Sequence, residues 1–218
     1  MEITDSRIVL VTGFEPFGGL TDNPSDQIVR VMEGETIGQH TIVARTLPVT
    51  FKDAPLRFKQ LLYQFKPALV ISLGLAGGEK AIRLERQAVN KVDFRIADNA
   101  AEIVKGCIHE GGPKYYHSSL PLESILKTLE KNKIPARLSD SAGAFVCNAL
   151  MYSALNACSH PEQNIPADLY ISRSCLNNYP HCKYLEVNRT YLIVSIWMVL
   201  PTVHFIACLF QCKLRQYG

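Results

Sequence analysis

The sequence is poor in charge: a fifth of its 218 residues are charged, and the net charge is only +3. Its basic residues are scattered rather than massed, so no continuous basic face is expected of the kind that neutralises phosphates, and no nucleic-acid partner follows. A secretory leader is also missing. "MEITDSRIVLVTGFEPF" has no charged stretch leading into an apolar core and a small-residue cleavage site, which predicts a cytoplasmic chain. The seven cysteines (Cys107, Cys147, Cys158, Cys175, Cys182, Cys208, Cys212) are odd in number, and four fall beyond Arg173, so they read as free thiols rather than a disulfide framework. The Cys175/Cys182 and Cys208/Cys212 spacings, with His181 and His204, form no zinc pattern, and neither metal nor cofactor is expected. Up to residue 166 there is no internal repeat and no linker. What is present, 47% hydrophobic residues in a chain of this length, suffices for one substantial core and a single α/β domain.

Strand and helix patterns alternate along that stretch. "RIVLVTG" is a continuous apolar run ending in glycine, as in a strand buried on both faces, and the glycine-rich "GFEPFGG" follows as a loop. Asn23-Pro24-Ser25 opens a helix running through Met32, with proline in the first turn, where a missing N–H costs nothing. "HTIVARTLPV" is β-branched and strand-like. Thr50 with Asp53 resembles a capping box, and Ala54, Phe58, Leu61, Leu62 and Phe65 then share one helical face. "ALVISLG" is a second buried strand, "LPLESILKTLEKNK" repeats the helical spacing, and "ARLSD" is a short strand leading into "SAG". Strands alternating with helices imply crossover connections and a largely parallel sheet.

In such sheets ligands bind where strand C-terminal ends meet the following loops, which selects "TGFEPFGG", "GLAGGEKAIRLERQAVN" and "SDSAGAFVCNALMYSAL". Cys147 falls one turn into a helix expected to start after Gly143. There the helix dipole would lower its pKa and favour the nucleophilic thiolate, while the plain alternative is a small buried hydrophobe among Ala144, Ala149 and Leu150. Glu85 lies on the more polar face of a strand, either as a solvated charge or partner of Arg83, or as a functional acid. "GLAGG" lacks the Lys-Ser/Thr continuation of a phosphate loop.

Taken together, "VTGFEPFGG", "GLAGG" with "ERQAVN", "DFRIADN" and "SAGAFVCNALMY" resemble, in order and spacing, the pyroglutamyl peptidase type I (pyrrolidone-carboxylate peptidase) family over roughly residues 7–166. That resemblance implies a cytoplasmic cysteine peptidase that removes N-terminal pyroglutamate from peptides, usually a homotetramer. It also implies one α/β domain, a mostly parallel twisted sheet flanked by helices, of the phosphorylase/hydrolase-like kind. On it, Cys147 matches the nucleophile and Glu85 the acidic member of a Cys-His-Glu triad. Phe14, Phe17, Phe145 and Val146 match the pocket for the lactam ring, and Arg95 and Ile96 flank it, with backbone N–H groups near Arg95 and Cys147 for the oxyanion. The chain departs from the family's "GQAGGR" by carrying Leu75 and Glu79.

The third triad member is missing. The family carries its histidine in a segment like "AGFIHVPYLPEQ", about two dozen residues beyond the nucleophile, and the corresponding position holds Ile171. Back-translation offers a reason. One G inserted after the Ala167 codon lets the bases encoding Asp168 to Asn178 read Gly-Phe-Ile-His-x-Pro-x-Leu-Leu-Glu-Gln, with histidine at position 171. The chain therefore reads as a family domain over residues 1–166 and an out-of-frame tail over 167–218. In that tail "YLIVSIWMVLPTVHFIACLF", Tyr191 to Phe210, has the length of a membrane span and precedes Lys213 and Arg215. T-rich middle codon positions in the wrong frame account for such a run, and Pro201 and His204 near its centre speak against membrane contact.

Overall fold

A computed structural model describes residues 7–79, 81–161 and 164–173, the last six through their backbone only. The element order is β1 (Ile8–Phe14), α1 (Pro24–Met32), β2 (Thr36–Ile37), β3 (His40–Leu47), α2 (Asp53–Phe65), β4 (Leu69–Ala76), β5 (Ile82–Glu85), β6 (Gln87–Val89), β7 (Val92–Asp93), β8 (Lys105–Gly106), β9 (Tyr115–His117), α3 (Leu122–Lys131), β10 (Ala136–Ser139), α4 (Val146–Cys158) and β11 (Ala167–Arg173). Seven strands make the main sheet, in the order β10-β5-β11-β4-β1-β3-β2, while β6-β9 and β7-β8 form two small antiparallel ladders. In the main sheet β1 pairs parallel with β3 and β4, β4 with β11, and β5 with β10; the β11–β5 and β2–β3 pairings are antiparallel.

Local sequence explains these elements. The β1 run is buried along nearly its whole length because it has a strand on each side and helices on both faces. Asn23 caps α1 by accepting from the Ser25 N–H at 3.0 Å. Gly13, near the end of β1, is required by the close approach of α1, since a Cβ there would collide with the Ser25 carbonyl. Thr50 and Asp53 do bond reciprocally, at 3.0 and 3.1 Å, although the regular helix starts only at Asp53.

The two faces of the sheet carry separate cores. One packs Val9, Val11, Ile71 and Leu84 with Ile28 and Val29 of α1 and Ile125 and Leu129 of α3. The other packs Leu10, Phe14 and Val70 with Phe58 and Leu61 of α2 and Leu150 and Leu155 of α4. The sheet thus places the C-terminal end of β4 and the polar face of β5 near the start of α4.

β11 fills the centre of the sheet. It runs parallel to β4, from Ala167 opposite Val70 to Arg173 opposite Ala76, and antiparallel to β5, with Tyr170 opposite Leu84 and Ile171 opposite Arg83. Residues at the start of the proposed out-of-frame tail therefore occupy a strand slot. A ladder is built from backbone N–H and C=O groups that every non-proline residue carries, so "DLYIS" can occupy it whatever its side chains. The other tail features, including Tyr191 to Phe210, His181, His204 and the last four cysteines, lie outside the described residues.

Candidate active site

Cys147 is the second residue of α4, closer to the helix start than the sequence suggests. Phe145 at the N-cap offers no side-chain acceptor, so the first-turn N–H groups stay available to an anion. The helix end is fixed by Asn148, which is fully buried: its amide nitrogen donates to the carbonyls of Val89 (2.8 Å) and Lys91 (2.9 Å), and its oxygen accepts from the Val89 N–H (3.0 Å). Asp93 N–H donates to the Ala144 carbonyl at 3.0 Å, tying "DFRIADN" to the loop before the nucleophile.

Cys147 is half-buried, and its surroundings work against the thiolate. The helix position predicts a lowered pKa, but burial pushes the Cys147 thiol up to about 12, and the nearby charge of Glu85 adds to the rise. The Leu75 N–H, the charge of Arg83 and the residue's own N–H pull the other way without overcoming burial. Half a helix charge is a small effect against desolvation of a thiolate.

Glu85 has no exposed surface, which removes the solvated-charge reading. Arg83 Nη2 stands 2.9 Å from its Oε1, yet the approach lacks hydrogen-bond geometry, and the neighbouring Ser139 hydroxyl is turned to the Ser141 carbonyl at 3.3 Å. Both groups favour the charged carboxylate through their polar hydrogens, Arg83 also as an ion-pair partner, although neither approach has the geometry of a well-formed hydrogen bond. Burial dominates and pushes the carboxyl up to about 7.

Aromatic residues occupy the other side. Phe17 and Phe145, both half-buried, stand 5.8 Å apart between ring centroids; Phe94 lies 4.4 Å from Phe145, and Phe51 meets Phe94 edge-on at 6.1 Å. Phe14 and Val146 belong to the same apolar cluster but are fully buried within it. Ile96 is half exposed and lies near Gly18 of the "GFEPFGG" loop, and Arg95 is exposed. Glu15 braces that loop: its carboxylate accepts from the Val49 N–H (3.0 Å) and from Asn99 Nδ2 (2.7 Å), which also donates to the Pro16 carbonyl (2.9 Å).

Sequence reasoning missed Asn148, Asn99 and Phe94. The signal for Asn148 was present, since an amide inside the apolar helical run "FVCNALMY" must be buried and therefore bonded. None of the four described histidines stands at the Cys147–Glu85 pair. His40 is in β3, several strands away; His109 and His117 are exposed; His160 follows the far end of α4, about 20 Å from its start at 1.5 Å per residue.

A family model described as pyroglutamyl peptidase matches residues 7–174. The chain belongs to the pyroglutamyl peptidase family. These are cysteine peptidases that remove N-terminal pyroglutamate. The pyrrolidone-carboxylate peptidase of Cupriavidus pinatubonensis is 43% identical over 156 residues, 71% of this chain and 72% of that one. The one from Pyrococcus furiosus is 44% identical over 149 residues, 68% of this chain and 72% of its own. Among solved structures, the Thermococcus litoralis pyrrolidone carboxyl peptidase superposes with a TM-score of 0.82 at 34% identity, covering 90% of this chain and 94% of that one. The Pyrococcus furiosus enzyme, solved with its Cys-free mutant, gives 0.82 at 33% identity, covering 88% and 100%. The pyroglutamyl peptidase fold is thus an α/β sheet flanked by helices, as its strand–helix alternation predicts. No helix among the described residues is long and apolar enough to cross a membrane.

Proposed function

We propose that the site is built to cleave N-terminal pyroglutamate from peptides, with Cys147 as nucleophile and Glu85 as the acidic triad member, and that this chain lacks the base the reaction needs. The observation that carries the reading is the fully buried Glu85 carboxylate beside the thiol, held by the Arg83 ion pair but by no well-formed hydrogen bond from the described residues. The strand register supports it independently of the codons. Position 171 is opposite Arg83 on β5 and opposite Gly74 on β4, one residue from the Leu75 N–H that reaches Cys147. Because faces alternate along a strand, a histidine there would share its face with Arg83 and Glu85.

In the working form, Cys147 Sγ attacks the pyroglutamyl carbonyl while the histidine takes the thiol proton. The α4 first-turn N–H groups, with a backbone donor near Arg95, hold the oxyanion. The imidazolium, held by Glu85, then protonates the departing amine. Phe17 and Phe145, with Ile96 at the rim and Phe14 and Val146 behind, recognise a compact neutral ring by shape. In this chain no described group stands where it could protonate the amine, which leaves a site that binds the ring without turning it over. The natural unit is residues 1–166 completed by an in-frame C-terminus, a cytoplasmic homotetramer.

A fluorogenic pyroglutamyl amide tests this. A chain restored to the "AGFIH" frame cleaves it, and Cys147→Ser in that chain abolishes cleavage; full activity in the serine variant would remove Cys147 as nucleophile. A second reading, a catalytically silent remnant, is favoured for this exact chain by the lack of a described histidine at the Cys147–Glu85 pair, and the same assay on the unaltered protein decides it.

A further inference from the structure

Arg83 is the cation closest to Glu85, and the fold holds it from several directions. Its Nη2 donates to Ser139 Oγ at 3.0 Å and to the Ser141 carbonyl, both on the β10 side, and stands 2.9 Å from Glu85 Oε1. Its Nη1 lies 3.8 Å from Glu79 Oε1, which is itself paired with Arg137 Nη2 at 2.7 Å. The Arg83 side chain is only 16% exposed, so this is an embedded guanidinium and not a surface charge that happens to touch a carboxylate.

We propose that Arg83 is the positioning residue of the acidic group: anchored on Ser139 and Ser141, its guanidinium fixes the place of the Glu85 carboxylate and keeps it charged. The proposal rests on Glu85 being the acidic member of the triad. An acid that must hold an imidazolium is useful only when ionised, and a carboxylate with no exposed surface and no hydrogen bond from the described residues has lost most of what favours its charge. The charged and titratable groups that face it are Arg83 on its own strand, Arg137 of β10, Glu79 behind the two arginines, and Cys147 of α4. Arg83 and Arg137 favour the carboxylate, and Arg83 is the nearer. Glu79 therefore acts at one remove, orienting both guanidinium groups. Since Arg83 also opposes the rise of the Cys147 pKa, one cation tempers both ends of the pair.

The test uses the full chain. Carboxyl ¹³C shifts followed against pH give the Glu85 midpoint directly, with Glu85→Gln identifying the resonance. Arg83→Met, which keeps the stem and removes the charge, raises that midpoint by about one pH unit or more, a tenfold loss in ionisation constant, and Arg83→Lys recovers most of it. Circular dichroism and the unchanged resonances of other carboxylates report whether each variant is folded; if Arg83→Met fails to fold, Arg83→Gln takes its place. Repeated in the Ile171→His background, Arg83→Met moves the acid limb of kcat/KM upward by the same amount, whereas a purely structural role lowers kcat at every pH. An unmoved Glu85 midpoint in a folded charge-neutral variant overturns the Arg83 proposal. A moved midpoint with an unmoved kinetic limb overturns the triad role of Glu85 and, with it, the positioning role.

Discussion

The aromatic half and the charged half of the site differ in how far the fold satisfies them. On the aromatic side, Glu15 accepts from Val49 and Asn99, Asn99 also donates to Pro16, and Asn148 makes three bonds to the chain beside it. On the charged side, Glu85 is as deeply buried as Asn148, yet it is held by an ion pair with Arg83 rather than by a well-formed hydrogen bond from the described residues. A buried polar group that serves only architecture is normally bonded by that architecture. One held by an ion pair alone keeps room for the imidazole that the proposed chemistry requires. On the proposed reading the halves fail separately: ring binding is expected to survive without the histidine, and proton transfer is not.

The sharpest way to break this contrast is Ile171→His in the full chain. With β11 in register beside Arg83, the single change raises turnover of a pyroglutamyl amide at least about a thousandfold, the scale on which a triad member acts. Unaltered protein within tenfold of the variant would show that the charged half was already complete.

Next in size is Asn148→Ala. Three part-buried bonds are lost from a fully buried side chain, so unfolding in urea shows a destabilisation of about 3 kcal/mol. A loss under about 1 kcal/mol would mean that α4 is held by its apolar face alone.

Glu85→Gln should act in the opposite direction. The carboxyl is raised from 4.5 to about 7, so between these values the folded chain keeps a proton that the unfolded chain has released, and stability falls as pH rises across that window. At pH 8 the glutamine variant is more stable by up to about 3 kcal/mol, at roughly 1.4 kcal/mol for each pH unit of that window, and below pH 4.5 the difference vanishes. Equal stability at pH 8 would show that the carboxylate is well solvated or well paired.

Phe17→Ala has the smallest effect. It removes one wall of the aromatic cluster and weakens binding of an uncleavable pyroglutamyl peptide by about tenfold, read by calorimetry on the unaltered background. Unchanged affinity would move the ring-binding surface away from Phe17.

Much of this was legible in the sequence where a residue's role depends on its neighbours along the chain. Helix α1 begins and ends where Asn23-Pro24 and Met32 place it, and the buried runs of β1 and β4 are strands. What the sequence hid depends on contacts across space. The Glu85 strand breaks at Arg86, and its polar face turns inward toward the start of α4, so alternation told which face Glu85 takes but not that the face is buried. The dipole at α4 was legible and the desolvation that outweighs it was not, because burial of Cys147 is set by elements distant in sequence. Asn99 and Phe94 act through Glu15 and Phe145, partners no local pattern could name.

The central place of β11 also sets an order of assembly during synthesis. Strands β4, β1, β3 and β2 can pair among themselves once residue 76 has left the ribosome, and β5 with β10 once residue 139 has. These two half-sheets share no ladder until Ala167–Arg173 slides between them, pairing with residues nearly a hundred positions earlier. Closure is thus the last and most non-local event in the growing chain: the acid's strand and the thiol's helix can meet through β10 beforehand, but the Leu75 end of β4 joins them only once Ala167–Arg173 has been made.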